Sequence, residues 1–313
     1  MTACATETEP TTDARSSAES VTVEHVAGET TIEGVPQRIV AIGSQWLDAL
    51  AEFDVEPVGY YSAGAMGDDR GLYPWQQDVS TEAQSFDVAS TEAGATVPTE
   101  EIAALEPDLI LVSGVRDVTP FTALSSIAPV VLPKAAKVET WQSQTTTLGR
   151  ILGREDDAAR IIAEGNMFTD QVKEEHPGLA GKTAVLSQYI VANQQLAVVV
   201  DPEDGASSVF SSLGMTLPAD LVALPDVKNG RLMLSPERVE VLTADLAIVL
   251  PNGGTREDLD ALPGFGSLPS VRSGALSVVD YATVVGFNTP SKASVTYSLG
   301  RIEPQLDAAG KTS

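Results

Sequence analysis

Apolar and polar side chains alternate along residues 21–32, the two-residue period of a half-buried strand, and Gly34-Val35-Pro36 then turns the chain into the apolar run at 38–42. Residues 45–53 have helical spacing, 58–61 read as a second strand, and 109–112 and 129–132 as two more. Between them, residues 62–96 have no clear period and are rich in Gly, Asp and Ser around Leu72-Tyr73-Pro74-Trp75. So long a loop predicts a functional or mobile segment. Helical spacing resumes over 141–175, with Leu148, Ile151, Leu152, Ala158, Ala159, Ile162, Phe168 and Val172 on a common side and Gly153 as an interruption. The part from 155 to 175 predicts one helix of roughly 30 Å, long enough to join two lobes. His176-Pro177-Gly178 stops it. A second lobe begins at 182–187, continues with strands at 196–200, 246–249 and 274–279, and ends in an amphipathic helix over 291–306.

One phrase occurs twice. Thr99-Glu100-Glu101-Ile102-Ala103-Ala104-Leu105-Glu106-Pro107-Asp108-Leu109-Ile110 returns without a gap as Pro236-Glu237-Arg238-Val239-Glu240-Val241-Leu242-Thr243-Ala244-Asp245-Leu246-Ala247, at an offset of 237 − 100 = 137. In each copy a glutamate opens a short helix, an aspartate closes it eight residues on, and an apolar strand follows. A looser echo, Phe121-Thr122-Ala123-Leu124 against Phe265-Gly266-Ser267-Leu268, follows each copy in the same order. Unrelated helices also hand over to strands in this way, but two ordered matches predict two similar lobes. The expected fold is α/β: two lobes with mostly parallel sheets joined by a single long helix, with ligands where strand carboxyl ends meet loops. The expected division is a flexible tether at 1–20, an N-terminal lobe at 21–140, a connecting helical region at 141–178, and a C-terminal lobe with its final helix at 179–313.

The formal charge of −25 disfavours nucleic acid as a partner and adhesion to an anionic membrane by charge alone. No apolar run approaches the roughly 20 residues that a bilayer-spanning helix needs. The single cysteine, Cys4, lies in Thr2-Ala3-Cys4-Ala5 ahead of a polar stretch rich in Thr, Glu, Ser and Ala. Thr-Ala-Cys resembles the end of a bacterial lipoprotein signal peptide, where the cysteine carries lipid, and the polar stretch suits a tether. With His25 and His176 as the only histidines, neither a Ser-His-Asp triad nor a histidine-based metal site can be assembled, and both are expected at the solvated surface. No GxGxxG or Walker phosphate loop is present, so a two-lobed enzyme is the weaker reading.

The residues resemble the extracytoplasmic substrate-binding proteins of iron-siderophore, haem and cobalamin ABC importers. The resemblance runs from Thr30 to Leu306 through Gly34-Val35-Pro36-Gln37-Arg38-Ile39-Val40, the two repeat copies, Leu268-Pro269-Ser270-Val271-Arg272-Ser273-Gly274 and Phe287-Asn288-Thr289-Pro290-Ser291. It implies two α/β lobes bridged by one helix with ligand in the cleft between them, and a monomer on the outer face of the cell membrane that passes a ferric siderophore to an ABC permease; haem and cobalamin are the alternatives. It also implies that Glu100 and Glu237 pair with arginines of the permease. Helix chemistry offers a second role, since a carboxylate in the first turn complements the helix dipole. No cofactor and no resident metal are implied.

Iron chelates present apolar rims and often net negative charge, so their site calls for aromatic faces and a few guanidinium groups. Trp46, Tyr60, Tyr61, Tyr73, Trp75 and Tyr189 occupy strand-end or loop positions and are the candidate ligand-facing aromatics. Trp46 and one of Tyr60 or Tyr61 have packing between sheet and helix as an alternative, and Trp141 is assigned to packing. Arg116, shortly after the strand at 109–112, lies where the resemblance places a ligand-facing side chain and is the first choice for an anion-binding group. Arg231 is the second, whereas Arg38 and Arg301 are assigned to structure or solvated surface.

Overall fold

A computed structural model describes residues 20–311 apart from 92, 93, 116, 136, 226 and 229. The alternating segment folds as an antiparallel hairpin, β1 (Ser20–His25) and β2 (Gly28–Glu33), whose Val23 and Ile32 pack inward.

The first lobe contains β3 (Ile39–Ile42), α1 (Ser44–Glu52), β4 (Gly59–Tyr61), β5 (Gln84–Phe86), the small hairpin β6 (Ala89–Thr91) and β7 (Gly94–Thr96), α2 (Thr99–Ala104), β8 (Leu109–Val112), α3 (Thr119–Thr122) and β9 (Val130–Val131). Its main sheet runs β5-β4-β3-β8-β9 with every pairing parallel. Both central strands, Ile-Val-Ala-Ile and Leu-Ile-Leu-Val, are buried throughout, the signature of a parallel sheet covered on both faces. The short, polar edge strand β5 lies inside what reads as loop, because Gln84 and Ser85 are exposed and leave no periodic signal.

Two helices follow: α4 (Trp141–Leu152) and α5 (Glu155–Glu175). Thr140 caps α4, and Gly153 ends it at φ 63°, a left-handed conformation that costs glycine little. Near its start α5 packs Ala158 and Ile161 into the first lobe's core; near its end Phe168 and Val172 pack into the second. One helix therefore bridges both cores.

The second lobe contains β10 (Ala184–Ile190), β11 (Gln195–Val199), α6 (Gly205–Ser212), α7 (Ala219–Val222), β12 (Arg231–Leu234), β13 (Leu246–Asn252), α8 (Arg256–Asp260), α9 (Pro269–Ser273), β14 (Leu276–Val278), α10 (Tyr281–Asn288), α11 (Lys292–Arg301) and α12 (Glu303–Gly310). The sheet order is β12-β11-β10-β13-β14, parallel across β10, β13 and β14 but antiparallel across β10, β11 and β12. The antiparallel flank and β12 itself are absent from the sequence reading. The last helix is two helices, since Pro304 lacks the N–H and crowds the carbonyl that would continue α11.

The repeat has a topological meaning. Its strands, β8 and β13, each pair in parallel with the lobe's first long strand on one side and with the last on the other. The closing aspartates do equivalent work: Asp108 accepts from the Gln37 and Arg38 amides at 2.7 and 2.8 Å, and Asp245 from the Thr183 amide and hydroxyl at 2.8 and 2.9 Å. Only the helices differ. The second copy, Pro236–Leu242, is a tight three-residue-per-turn segment broken at Arg238, where β-branched Val239 and Val241 are both drawn into the core.

Candidate functional site

A cleft opens where the two lobes meet, and its floor starts with two turns of the first sheet. β3 ends at Gly43, whose φ of 115° and close approach to Ser113 exclude a side chain: a Cβ there would lie 2.5 Å from the Ser113 hydroxyl oxygen. α1 starts at once, with no side chain capping its first amides. Ser113 follows β8, its amide bonded to the Ile42 carbonyl at 2.8 Å. From the second lobe comes Arg231, at the head of β12, which donates to Asp204 at 2.8 Å and to the Asn288 side-chain oxygen at 2.7 Å. Asp204 is fully buried, caps α6 through the Ala206 amide, and also accepts from the Val138 amide. These groups border a solvent-open pocket of about 60 Å³ lined by Gln45, Ser113, Gln144, Arg231, Asn288 and Thr289 among others.

Beside this floor the lobes are joined by a polar ladder. Ser44, Gln45, Asp48 and Glu52 lie on one face of α1 and meet Thr289, Pro290, Ser291 and Lys292 in order, at 3.2, 2.8, 2.5 and 2.8 Å. Lys292 also reaches Glu164 of α5 at 2.9 Å. Asp48, 3 % exposed, accepts from Ser291, Trp75 and Gln76. Burial pushes its carboxyl up to about 6, against the opposing pull of those three hydrogen bonds. Desolvation would lower the Lys292 ammonium, but its bonds to Glu52 and Glu164 prevail and raise it. Through Asp48 the long loop is tied to α1. Trp75 stacks on Tyr73 at 4.9 Å and tilts against Tyr297 at 5.3 Å.

The predicted aromatics separate into two groups. Trp46, Tyr60 and Tyr189 are 2, 2 and 6 % exposed and belong to the lobe cores, so none is available to a cleft ligand. The cause is periodicity: Trp46 lies one turn before Leu50 on the sheet-facing side of α1, and in β4 alternation sends Tyr60 inward, its hydroxyl on the Arg70 carbonyl, and Tyr61 outward. Tyr61 is exposed and Trp75 half-buried, whereas Tyr73, 9 % exposed, is buried against its stacking partner Trp75. Burial raises the phenols of Tyr61 and Tyr73, and Tyr281, at the start of α10, adds to both; tyrosines of the two lobes thus lie within electrostatic reach of one another. Arg231 lies in the cleft floor; Arg116 and Cys4 are outside the described residues. Glu100 and Glu237 are exposed in the first turns of their segments. His176 departs from expectation: it is 9 % exposed, with Nδ1 3.0 Å from Asp307 of α12, because the final helix covers the end of α5. His25 is half-buried on the hairpin, beside Thr30.

Sequence reasoning missed Ser113, Gln144, Asp48 and Tyr281. Ser113 and Tyr281 follow strand ends, the positions already searched for aromatics and arginines. Asp48 carried a different signal, a carboxylate between the apolar Leu47 and Ala49 on a core-facing helix.

Residues 66–281 match the family model described as "Periplasmic binding protein". The chain belongs to that family. Among curated relatives, the Fe(3+) dicitrate-binding periplasmic protein FecB of Escherichia coli is 30 % identical over 206 residues, 64 % of this chain and 63 % of FecB's length. The Fe(3+)-citrate-binding protein YfmC of Bacillus subtilis is 26 % identical over 278 residues, 87 % of this chain and 82 % of that protein. Among solved structures, the iron uptake ABC transporter substrate-binding protein PiaA of Streptococcus pneumoniae superposes with a TM-score of 0.75 at 22 % identity, covering 94 % of this chain and 100 % of that one. That likeness shows a shared fold. A periplasmic solute binding protein of Mycobacterium smegmatis gives 0.71 at 25 % identity over 92 % of this chain and 97 % of that one.

Proposed function

We propose that this protein is the extracytoplasmic substrate-binding component of an ABC importer, capturing a ferric siderophore or similar iron chelate and delivering it to the permease. The observation that carries this reading is the interlobe cleft: the Arg231 guanidinium is fixed at its floor by Asp204 and Asn288, and Tyr61 of the first lobe and Tyr281 of the second lie within electrostatic reach of one another, in a fold bridged by one helix. Relatives named for ferric dicitrate, ferric enterobactin and iron(3+)-hydroxamate support an iron chelate as the ligand without singling out one chemistry. Arg116 contributes a cation to the same cleft. Cys4 carries a lipid that holds a monomer to the outer face of the cell membrane, and residues 5–20 serve as its tether; two Bacillus subtilis relatives are named lipoproteins.

Glu100 and Glu237 dock one lobe each onto the permease. Both are exposed acids at the same position of an internal repeat, so one partner can grip two lobes through the same contact. The test is uptake of radiolabelled iron in a strain lacking this gene. Restored uptake by the wild type, and none by the Glu100→Ala/Glu237→Ala double variant with unchanged ligand affinity, is expected; full uptake by the double variant removes the docking role. Strong visible absorbance after incubation with haem or cobalamin would move the ligand to one of those instead.

A further inference from the structure

The described cations at the cleft floor are already committed to carboxylates. Arg231, the guanidinium expected to meet an anion, gives one nitrogen to the wholly buried Asp204 at 2.8 Å and another to the Asn288 side-chain oxygen at 2.7 Å. Lys137, the other described cation of the lining, donates to Glu203 at 2.7 Å and lies 3.9 Å from Asp201. The bond to Glu203 holds its ammonium above the usual range. Asp201, Glu203 and Asp204 all belong to the short loop between β11 and α6, so one loop of the second lobe neutralises both. Glu139, the acid of the lining, lies 3.7 Å from the Lys134 ammonium and accepts from that residue's amide at 2.8 Å. Three cations against four carboxylates give this group a formal charge of 3 − 4 = −1. The cation assigned to Arg116 brings it to zero, not to an excess.

We propose that the loop carrying Asp201, Glu203 and Asp204 sets the charge of the ligand, so that the cleft takes a ferric chelate with no net negative charge and rejects polyanionic ones; this rests on the cleft being the chelate site. A polyanion gains little from a cation whose field a carboxylate at salt-bridge distance already cancels, and on approach it meets the formal charge of −25 on the whole chain. Both effects oppose it. Coordination chemistry then names the class. Three singly charged bidentate groups, such as hydroxamates, balance a ferric ion, whereas three doubly charged catecholates leave a trianion and ferric citrate also stays anionic. A neutral chelate escapes both penalties, and a free ammonium arm on it gains from Glu203, whose side chain is 80 % exposed beside the floor. Such a ligand departs from the ferric citrate for which FecB and YfmC are named.

The test is quenching of intrinsic tryptophan fluorescence, at low and at high salt, by a neutral ferric trihydroxamate, a ferric trihydroxamate with a free ammonium arm, ferric citrate and a ferric tris-catecholate. It is run on the wild type and on the near-isosteric Asp201→Asn/Glu203→Gln, which frees Lys137 without touching the buried Asp204. Unchanged circular dichroism and urea midpoints establish that the variant folds. Expected at low salt is wild-type binding of the neutral and ammonium-bearing chelates at least about tenfold tighter than of either anion, with the gap narrowing as salt screens the repulsion. In the variant the tris-catecholate should bind about fivefold tighter or more and the ammonium-bearing chelate about threefold weaker or more, with the neutral chelate within about twofold of the wild type. Wild-type binding of either anion as tightly as the neutral chelate overturns the inference, as does a variant in which neither charged chelate's affinity moves by more than about twofold. Those outcomes leave the cleft reading intact. Failure of every ferric chelate to bind the wild type overturns the cleft reading, and this inference with it.

Discussion

Replacing Asp48 by asparagine tests whether the lobes are held by a buried, charged seam. The native carboxyl titrates at about 6 against an ordinary 3.8, so the folded protein binds this proton more tightly than the unfolded chain does. For a carboxyl shifted upward, protonation favours the native state: its contribution to stability is least above pH about 6 and grows as pH falls towards about 4. A shift of roughly 2 pK units corresponds to about 3 kcal/mol in full, of which about 2 kcal/mol is gained between pH 7 and about pH 4.5. Asparagine does not titrate. Urea unfolding at both pH values, on both proteins, isolates the term, because the chain's many other carboxylates affect both alike. Wild-type stability minus variant stability should rise by about 2 kcal/mol on acidification. A difference independent of pH, or one that falls on acidification, would falsify the assignment of a desolvated Asp48.

Other perturbations probe neighbouring contacts. Arg231→Ala leaves the wholly buried Asp204 with backbone donors alone and should cost about 3 kcal/mol or more in urea unfolding; Asp204→Asn added to it should recover part of the loss, and no recovery would argue against an uncompensated charge. Lys292→Met severs two ion pairs with partly exposed Glu52 and Glu164 and should cost only about 1 kcal/mol, seen as a shift of a few degrees in melting temperature. Because α5 is a single helix packed into both cores, ligand should compact the molecule only slightly in solution scattering; a large fall in radius of gyration would contradict the stiff bridge.

The parts of the fold legible in the sequence were those set by backbone periodicity. α4 and α5, split at Gly153, follow from spacing and one glycine, and β8 and β13 from a repeated phrase ending in apolar runs. Edge strands were illegible for a physical reason. β5 and β12 each have one covered side at most, so Gln84, Ser85, Arg231 and Met233 look like loop residues until their neighbours are known. The site was legible only in part. Strand-end position pointed to the right places, but the choice there of large aromatics led to Trp46, Tyr60 and Tyr189, which the cores take up, while Ser113 and Gln144, small or neutral, gave no signal of their own. Asp48 meets Ser291 across a separation of 243 residues, a contact that no local pattern contains.

The central claim is capture of an iron chelate between the lobes, and calorimetric titration of the purified protein with ferric and iron-free forms of each chelate tests it most directly. One-to-one saturable binding of at least one ferric chelate, with no comparable heat from its iron-free form, is the predicted result. Equal binding of both forms, or no saturable heat with any ferric chelate, would contradict it.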